Sequence, residues 1–271
     1  MSDIKSFISR FGFHTLPFTC EISTEKYFCS DIYKESLEHL YRAVEKRMSA
    51  ALIAPAGSGK TALLRSLAKK LPQTRYNIHY IKVTDLSKRD FCYEISNAIG
   101  IESARNYPSL VRRLQERFTG SLDIDGLRPT LILDEAHDMR PDVLGILRIL
   151  TNFEMDSRLV VSVIIAGQAP LKKMLEHPKL EDVATRLNHY ATLRLLSRTE
   201  IFQYVQHRCQ VAGAHTCPFD QSAQDALYEI GRGNLRATDH LSLKSLELAH
   251  DQKYDVVDGT CVSQAKGMLW N

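Results

Sequence analysis

Two short stretches hold residues whose types and order suit one kind of chemistry. ALIAPAGSGKTALL (residues 51–64) brings Gly57, Gly59, Lys60 and Thr61 together, and TLILDEAH (residues 130–137) ends an apolar run in Asp134 and Glu135. A glycine-rich turn entering a helix can wrap consecutive backbone N–H groups, here those of Ala56, Gly57, Ser58, Gly59, Lys60, Thr61 and Ala62, around a phosphate, where the helix dipole favours negative charge. Lys60 would then reach the β- and γ-phosphates of ATP, while the Thr61 hydroxyl and Asp134 would complete the coordination of Mg²⁺. Glu135, one residue on, is placed to orient or deprotonate the attacking water. The first stretch departs from the usual G-x-x-x-x-G-K-[ST] pattern, because Ala54 stands where the opening glycine belongs. That position closes a strand, where an ordinary residue keeps β geometry. Its loss therefore leaves the turn intact, and the two motifs together imply Mg-ATP binding and hydrolysis.

These residues need a scaffold that brings strand ends together. From Ala50, short apolar runs alternate with amphipathic stretches, as parallel strands joined by crossover helices do. Strands are expected at Ala50–Ala54, Asn77–Val83, Thr130–Asp134, Leu159–Gly167 and Ala191–Leu195, with helices at Lys60–Leu71, Lys88–Ile99, Pro108–Phe118 and Pro141–Phe153. The fold class is α/β, a five-stranded parallel sheet flanked by helices, over residues 31–196. After Leu196 strand signals stop. Ser197 and Glu200 form a capping box, Asp220 and Asn234 open two further helices, and Asp258–Leu269 is a fourth, so residues 197–271 read as a helical module. Residues 1–30 hold several aromatics without a period and read as an arm packing on the sheet.

Composition narrows the classes. The hydrophobic fraction is 44% and the charged fraction 25%, near the average for globular chains, which excludes disordered and fibrous types. The longest apolar stretch, LVVSVIIAG, is well short of the roughly 20 residues that cross a bilayer, and no export signal is visible at the N-terminus. A cytoplasmic protein with no membrane partner is the expectation. The cysteines show no close C-x-x-C pair, so no zinc site is expected and the thiols should stay reduced.

The two motifs, together with PDVLGILRILTNFE after DEAH, VVSVIIAGQAPLKKML, the early FGFHTLPF and the late GRGNLRATDHL, resemble AAA+ ATPases of the general secretion pathway A type and the related transposition-regulator ATPases. The resemblance covers nearly the whole chain and implies an AAA+ P-loop core with a small helical lid at residues 197–271. It implies three further roles. Gln168 matches the sensor that reads the γ-phosphate and attacking water, Arg186 the arginine finger acting on a neighbouring subunit's ATP (with Arg194 as its rival), and Arg236 the lid sensor. A finger acting in trans implies a homo-oligomer, as a ring or a helical filament.

Secretion-type relatives continue into membrane and cell-wall modules that this sequence lacks, which favours the DNA-acting relatives. Between residues 60 and 89 the basic residues Lys60, Arg65, Lys69, Lys70, Arg75, Lys82, Lys88 and Arg89 are set against Asp85 alone. Lys69, Lys70 and Arg75 read as a solvated face. Lys88, Arg89 and Arg105 fall on loops that in the relatives track DNA, and would give sequence-independent, salt-sensitive contacts with double-stranded DNA. The expected function is DNA transposition regulation, with recruitment or stimulation of a transposase or integrase for target-site selection. The alternatives are a secretion or envelope-assembly ATPase with a membrane partner, and an ATP-binding signalling switch.

Overall fold

The computed structural model describes residues 2–102, 106–187 and 189–269. In chain order the elements are α1 (Ser2–Arg10), α2 (Asp31–Glu45), β1 (Ala50–Ile53), α3 (Lys60–Lys70), β2 (Tyr76–Lys82), α4 (Lys88–Ile99) and α5 (Tyr107–Asp123). There follow β3 (Arg128–Asp134), α6 (Pro141–Leu144), α7 (Ile146–Leu150), β4 (Ser162–Gly167), α8 (Ala169–Leu175), α9 (Glu181–Ala184) and β5 (His189–Thr192). Four helices complete the chain: α10 (Arg198–Val211), α11 (Gln221–Gly231), α12 (Leu235–Asp251) and α13 (Gly259–Gly267). Residues 31–55 and 60–193 form one compact unit; a second gathers the described residues before 31, residues 56–59 and those from 194 onward.

The first unit is built on a five-stranded parallel sheet in the order β2-β3-β4-β1-β5. Successive side chains of a strand point to opposite faces, and the core divides accordingly. Ala50, Leu52, Ile132, Ile164 and Ala166 face α2 and α3 through Leu40, Leu63 and Leu67. Ala51, Ile53, Leu131, Leu133, Val163 and Ile165 meet Phe91 and Ile95 of α4 and Leu114 and Phe118 of α5. Burial on both faces explains why β1, β3 and β4 read as near-continuous apolar runs.

Some boundaries differ from expectation. The Pro141–Phe153 helix is two short helices parted at Gly145, a residue that weakens a helix interior. After α7 the Thr151 hydroxyl bonds back to the Leu147 carbonyl at 2.7 Å, and Glu154, Met155 and Asp156 take positive φ of 49°, 56° and 66°. β4 begins at Ser162, where its pairing with Thr130 of β3 begins; Val160 and Val161 before it are buried and Leu159 is half exposed. β5 begins at His189, in register with Ala50 of β1, earlier than the Ala191 start that its apolar residues suggest.

The second unit is helical, and its caps match the sequence pattern. Ser197 and Glu200 form the capping box of α10, while Asp220, Asn234 and Asp258 accept from Ala223, Ala237 and Cys261 at the starts of α11, α12 and α13. The arm departs from expectation. Phe7, Phe11, Phe13 and Phe18 are buried in one core with Ile201, Val205, Leu227 and Leu246, so the arm packs on the helices it shares a unit with. Sequence alone could not choose, since an aromatic run without a period fits either apolar surface. Arg208 ties the arrangement down, donating to the Thr19 carbonyl at 2.7 Å and the Tyr204 hydroxyl at 2.9 Å, and lying 3.3 Å from Asp239.

Candidate functional site

The chain between β1 and α3 runs Ala54 to Gly59. Ala54 is fully buried and its N–H donates to the Gly167 carbonyl at 2.9 Å. The alanine thus extends the parallel ladder, which asks nothing of glycine. Within the turn, Gly57 and Gly59 have φ of +70° and +93°, a region other residues enter only with strain. Residues 56–59 are held inside the helical unit. Asn234 donates to the Ala56 carbonyl at 3.0 Å and the Leu235 N–H to that of Gly57 at 2.9 Å. A side chain at residue 57 would fall on Asn234, its Cβ 2.1 Å from Oδ1.

In the sheet unit, Lys60 opens α3 and Asp134 closes β3. Both are buried, and the Lys60 ammonium lies 3.0 Å from Asp134 Oδ1 and 2.6 Å from Glu135 Oε2. The Thr61 and Tyr80 hydroxyls donate to Asp134 Oδ2 at 2.9 and 3.0 Å, and the Glu135 N–H to Oδ1 at 2.8 Å. Burial works to raise the Asp134 carboxyl, but Lys60, Thr61 and the Glu135 N–H outweigh it, and the group sits below its ordinary value. It is an anion at neutral pH. Tyr80 is pushed the other way, to about 12, by burial and then by the Asp134 charge, so it stays a donor. Glu135 takes a left-handed backbone, φ 58°, which turns the chain sharply out of the strand.

Gln168 follows β4, which pairs with β3, and its Nε2 is 2.7 Å from His137 Nε2. The expected residues Lys60, Thr61, Asp134 and Glu135 therefore meet directly, and Gln168 joins them through His137. The remaining positions lie elsewhere. Arg186 is held by Asp156 through paired hydrogen bonds of 2.6 and 2.5 Å, beside an open cavity of about 830 Å³ that Arg148 and Asp182 also line. Arg194 pairs with Glu200 at 2.6 Å. Arg236 is exposed in the first turn of α12. Lys88 and Arg89 are exposed in the first turn of α4, with Lys88 3.8 Å from Asp142, and Arg105 lies outside the described residues. Lys70 pairs with Glu38 at 2.6 Å, in keeping with a solvated face.

Three contributors escaped the sequence reading. Tyr80 could have been found from register, because it is two residues before Lys82, which lies opposite Asp134. Asn234 showed only as a helix cap. His137 belonged to the DEAH string but had no visible partner.

The donor set suits the nucleotide and its cation. A hydroxyl and an ionised carboxylate 2.9 Å apart are the hard oxygen ligands that Mg²⁺ takes, and the ammonium between two carboxylates is a charge ready for phosphate. Residues 42–175 match the AAA domain family. With this sheet and these motifs the chain holds an AAA domain in an AAA+ P-loop fold.

Among curated relatives it is similar to General secretion pathway protein A of Aeromonas hydrophila, 30% identical over 226 residues, which cover 82% of this chain and 41% of that protein. The chain thus spans about two fifths of that relative's length. In fold it is similar to Cdc6p from Pyrobaculum aerophilum, with TM-score 0.73, 18% identity, and coverage of 96% of this chain and 70% of that one. For the Aeropyrum pernix ORC1 protein in complex with DNA the values are 0.70, 17%, 94% and 69%. For the Thermotoga maritima RuvB Holliday junction branch migration motor they are 0.59, 18%, 88% and 68%. Among the described residues no helix is long and apolar enough to cross a membrane.

Proposed function

We propose that this chain hydrolyses Mg-ATP at the Lys60, Thr61, Asp134 and Glu135 cluster, assembles as a cytoplasmic homo-oligomer on double-stranded DNA, and regulates DNA transposition by recruiting or stimulating a transposase. The observation that carries the hydrolytic part is the buried Lys60 ammonium shared by Asp134 and Glu135 beside the Thr61 hydroxyl. When bound, ATP supplies the phosphoryl group and Mg²⁺ spreads its negative charge. The chain's residues do the rest. The backbone of residues 56–62 would hold the phosphates, Lys60 would turn from the carboxylates to them, and Thr61 and Asp134 would hold the metal. Glu135, released from Lys60, becomes the base for water. Gln168 would sense the reacting phosphate, Arg236 would act from the lid, and Arg186 would leave Asp156 to reach a neighbouring copy.

The DNA part rests on Lys88 and Arg89. Cations in the first turn of a helix oppose its dipole, so the stability of α4 does not explain them; Ser87 and Asp90 supply the cap there. Two of the structural neighbours named above are described as bound to DNA or moving a DNA junction. The test is electron microscopy and sedimentation of the protein with duplex DNA and a non-hydrolysable ATP analogue. The expected outcome is assembly that weakens steeply as salt rises, and no DNA-dependent assembly at low salt would defeat this reading. The identity to General secretion pathway protein A favours a second one, an ATPase serving secretion or envelope assembly. That reading expects turnover indifferent to DNA and co-purification with a membrane protein.

A further inference from the structure

His137 stands between the two groups on which the chemistry turns. Its Nε2 is 2.7 Å from Gln168 Nε2, and its Nδ1 is 3.4 Å from Glu135 Oε2. Nδ1 is buried and makes no hydrogen bond in this arrangement, in which Lys60 holds Glu135 Oε2 at 2.6 Å. The Gln168 amide nitrogen can only donate, so it requires a lone pair on Nε2; in a neutral imidazole the proton then sits on Nδ1, facing the carboxylate. The other acid nearby, Asp138, is 3.8 Å from Nε2, beyond hydrogen-bonding reach. The ring is carried close by backbone design. A Cβ on Gly167 would lie 3.1 Å from the His137 backbone nitrogen and 2.8 Å from Leu171 Cδ2, so glycine at the end of β4 admits the close approach of the chain at His137.

We infer that His137 is the positioning residue for Glu135: with its tautomer set by Gln168, its Nδ1–H takes up Glu135 Oε2 when Lys60 turns to phosphate, aligning the base and linking it to the γ-phosphate sensor. The inference rests on the hydrolytic reading above, because it assigns work to Glu135 and Gln168 in that role. The link runs through two side-chain contacts. It gives Gln168 a physical means of acting on the base without touching it.

The first test is independent of activity. Full-length protein labelled with ¹⁵N-histidine, with the His137 signals assigned by their loss in His137→Asn, should show a neutral ring protonated at Nδ1 in long-range ¹H–¹⁵N spectra. Gln168→Leu should weaken that preference. A ring protonated at Nε2 would overturn the inference. The second test is kinetic. His137→Leu should lower kcat about tenfold or more, in the range for residues that orient a catalytic group, with KM for ATP nearly unchanged. His137→Asn, whose amide can donate from near the Nδ1 position, should recover much of the rate. Unchanged turnover in His137→Leu, or no recovery in His137→Asn, would overturn the inference. Absence of turnover in the wild-type protein would instead defeat the hydrolytic reading, leaving the tautomer to decide the geometry.

Discussion

Asp134 gathers more of the site than any other side chain. It is fully buried, yet Lys60, Thr61, Tyr80 and its own neighbour's N–H all bond to it. A buried charge is tolerated when it is so satisfied, and removing a partner exposes the cost. Tyr80→Phe deletes one donor and keeps the ring, so thermal unfolding should show a loss of about 1 kcal/mol, together with a raised requirement for Mg²⁺ in turnover. At this scale the sequence was informative where chemistry sits in contiguous strings. Gly57, Gly59, Lys60, Thr61, Asp134 and Glu135 were all visible as motifs, because phosphate-loop chemistry demands those types at those spacings. The roles of Tyr80 and His137 were not visible, because Asp134 and Gln168 are distant from them in the chain and meet them only through the β2-β3 and β3-β4 pairings.

Local helix ends and strand ends obey rules that sequence states openly, and the elements show it. The capping box at α10 is an example. Ser197 accepts from the Glu200 N–H and Glu200 accepts from that of Ser197, while Arg194 adds an ion pair. Arg194's hydrogen bonds, working against burial and aided by Ser197, hold the Glu200 carboxyl down at about 2, compared with 4.5 for the free group. A folded value below the unfolded one means stability that is present above pH 4.5 and lost as the pH falls from there toward 2. Glu200→Gln should therefore cost on the order of 1 kcal/mol at neutral pH and flatten acid unfolding in that window. Gly167→Ala should cost about 1–3 kcal/mol through the crowding of Leu171 and the His137 backbone. Less legible was the stretch after Pro141. Its apolar spacing promised one helix to Phe153, but the helix parts at Gly145 and stops at Leu150, and the left-handed backbone that follows at residues 154–156 has no periodic signal.

At the scale of the whole molecule, the two units and their cores define what the chain is. The parallel strands and the helical second unit were readable from the apolar runs and the change of period after Leu196, whereas the strand order and the allegiance of the arm were not. Phe7, Phe11 and Phe18 are buried in the helical unit's core, so Phe11→Ala should destabilise that unit by about 3–5 kcal/mol, read by proteolysis or calorimetry. The Asp239 carboxyl, raised to about 6 by burial against the pull of Arg208, adds a pH effect of opposite sign to Glu200: its cost is felt above pH 6 and is relieved as the pH falls below it. The energy for either proposed role, on DNA or at a membrane, comes from hydrolysis at one cluster. The measurement that tests this most directly is the rate of phosphate release from Mg-ATP by the wild-type protein and by Glu135→Gln, beside the nucleotide each retains. The account predicts that Glu135→Gln binds ATP as the wild type does and releases phosphate about 10²- to 10⁴-fold more slowly. Equal rates in the two proteins would contradict it.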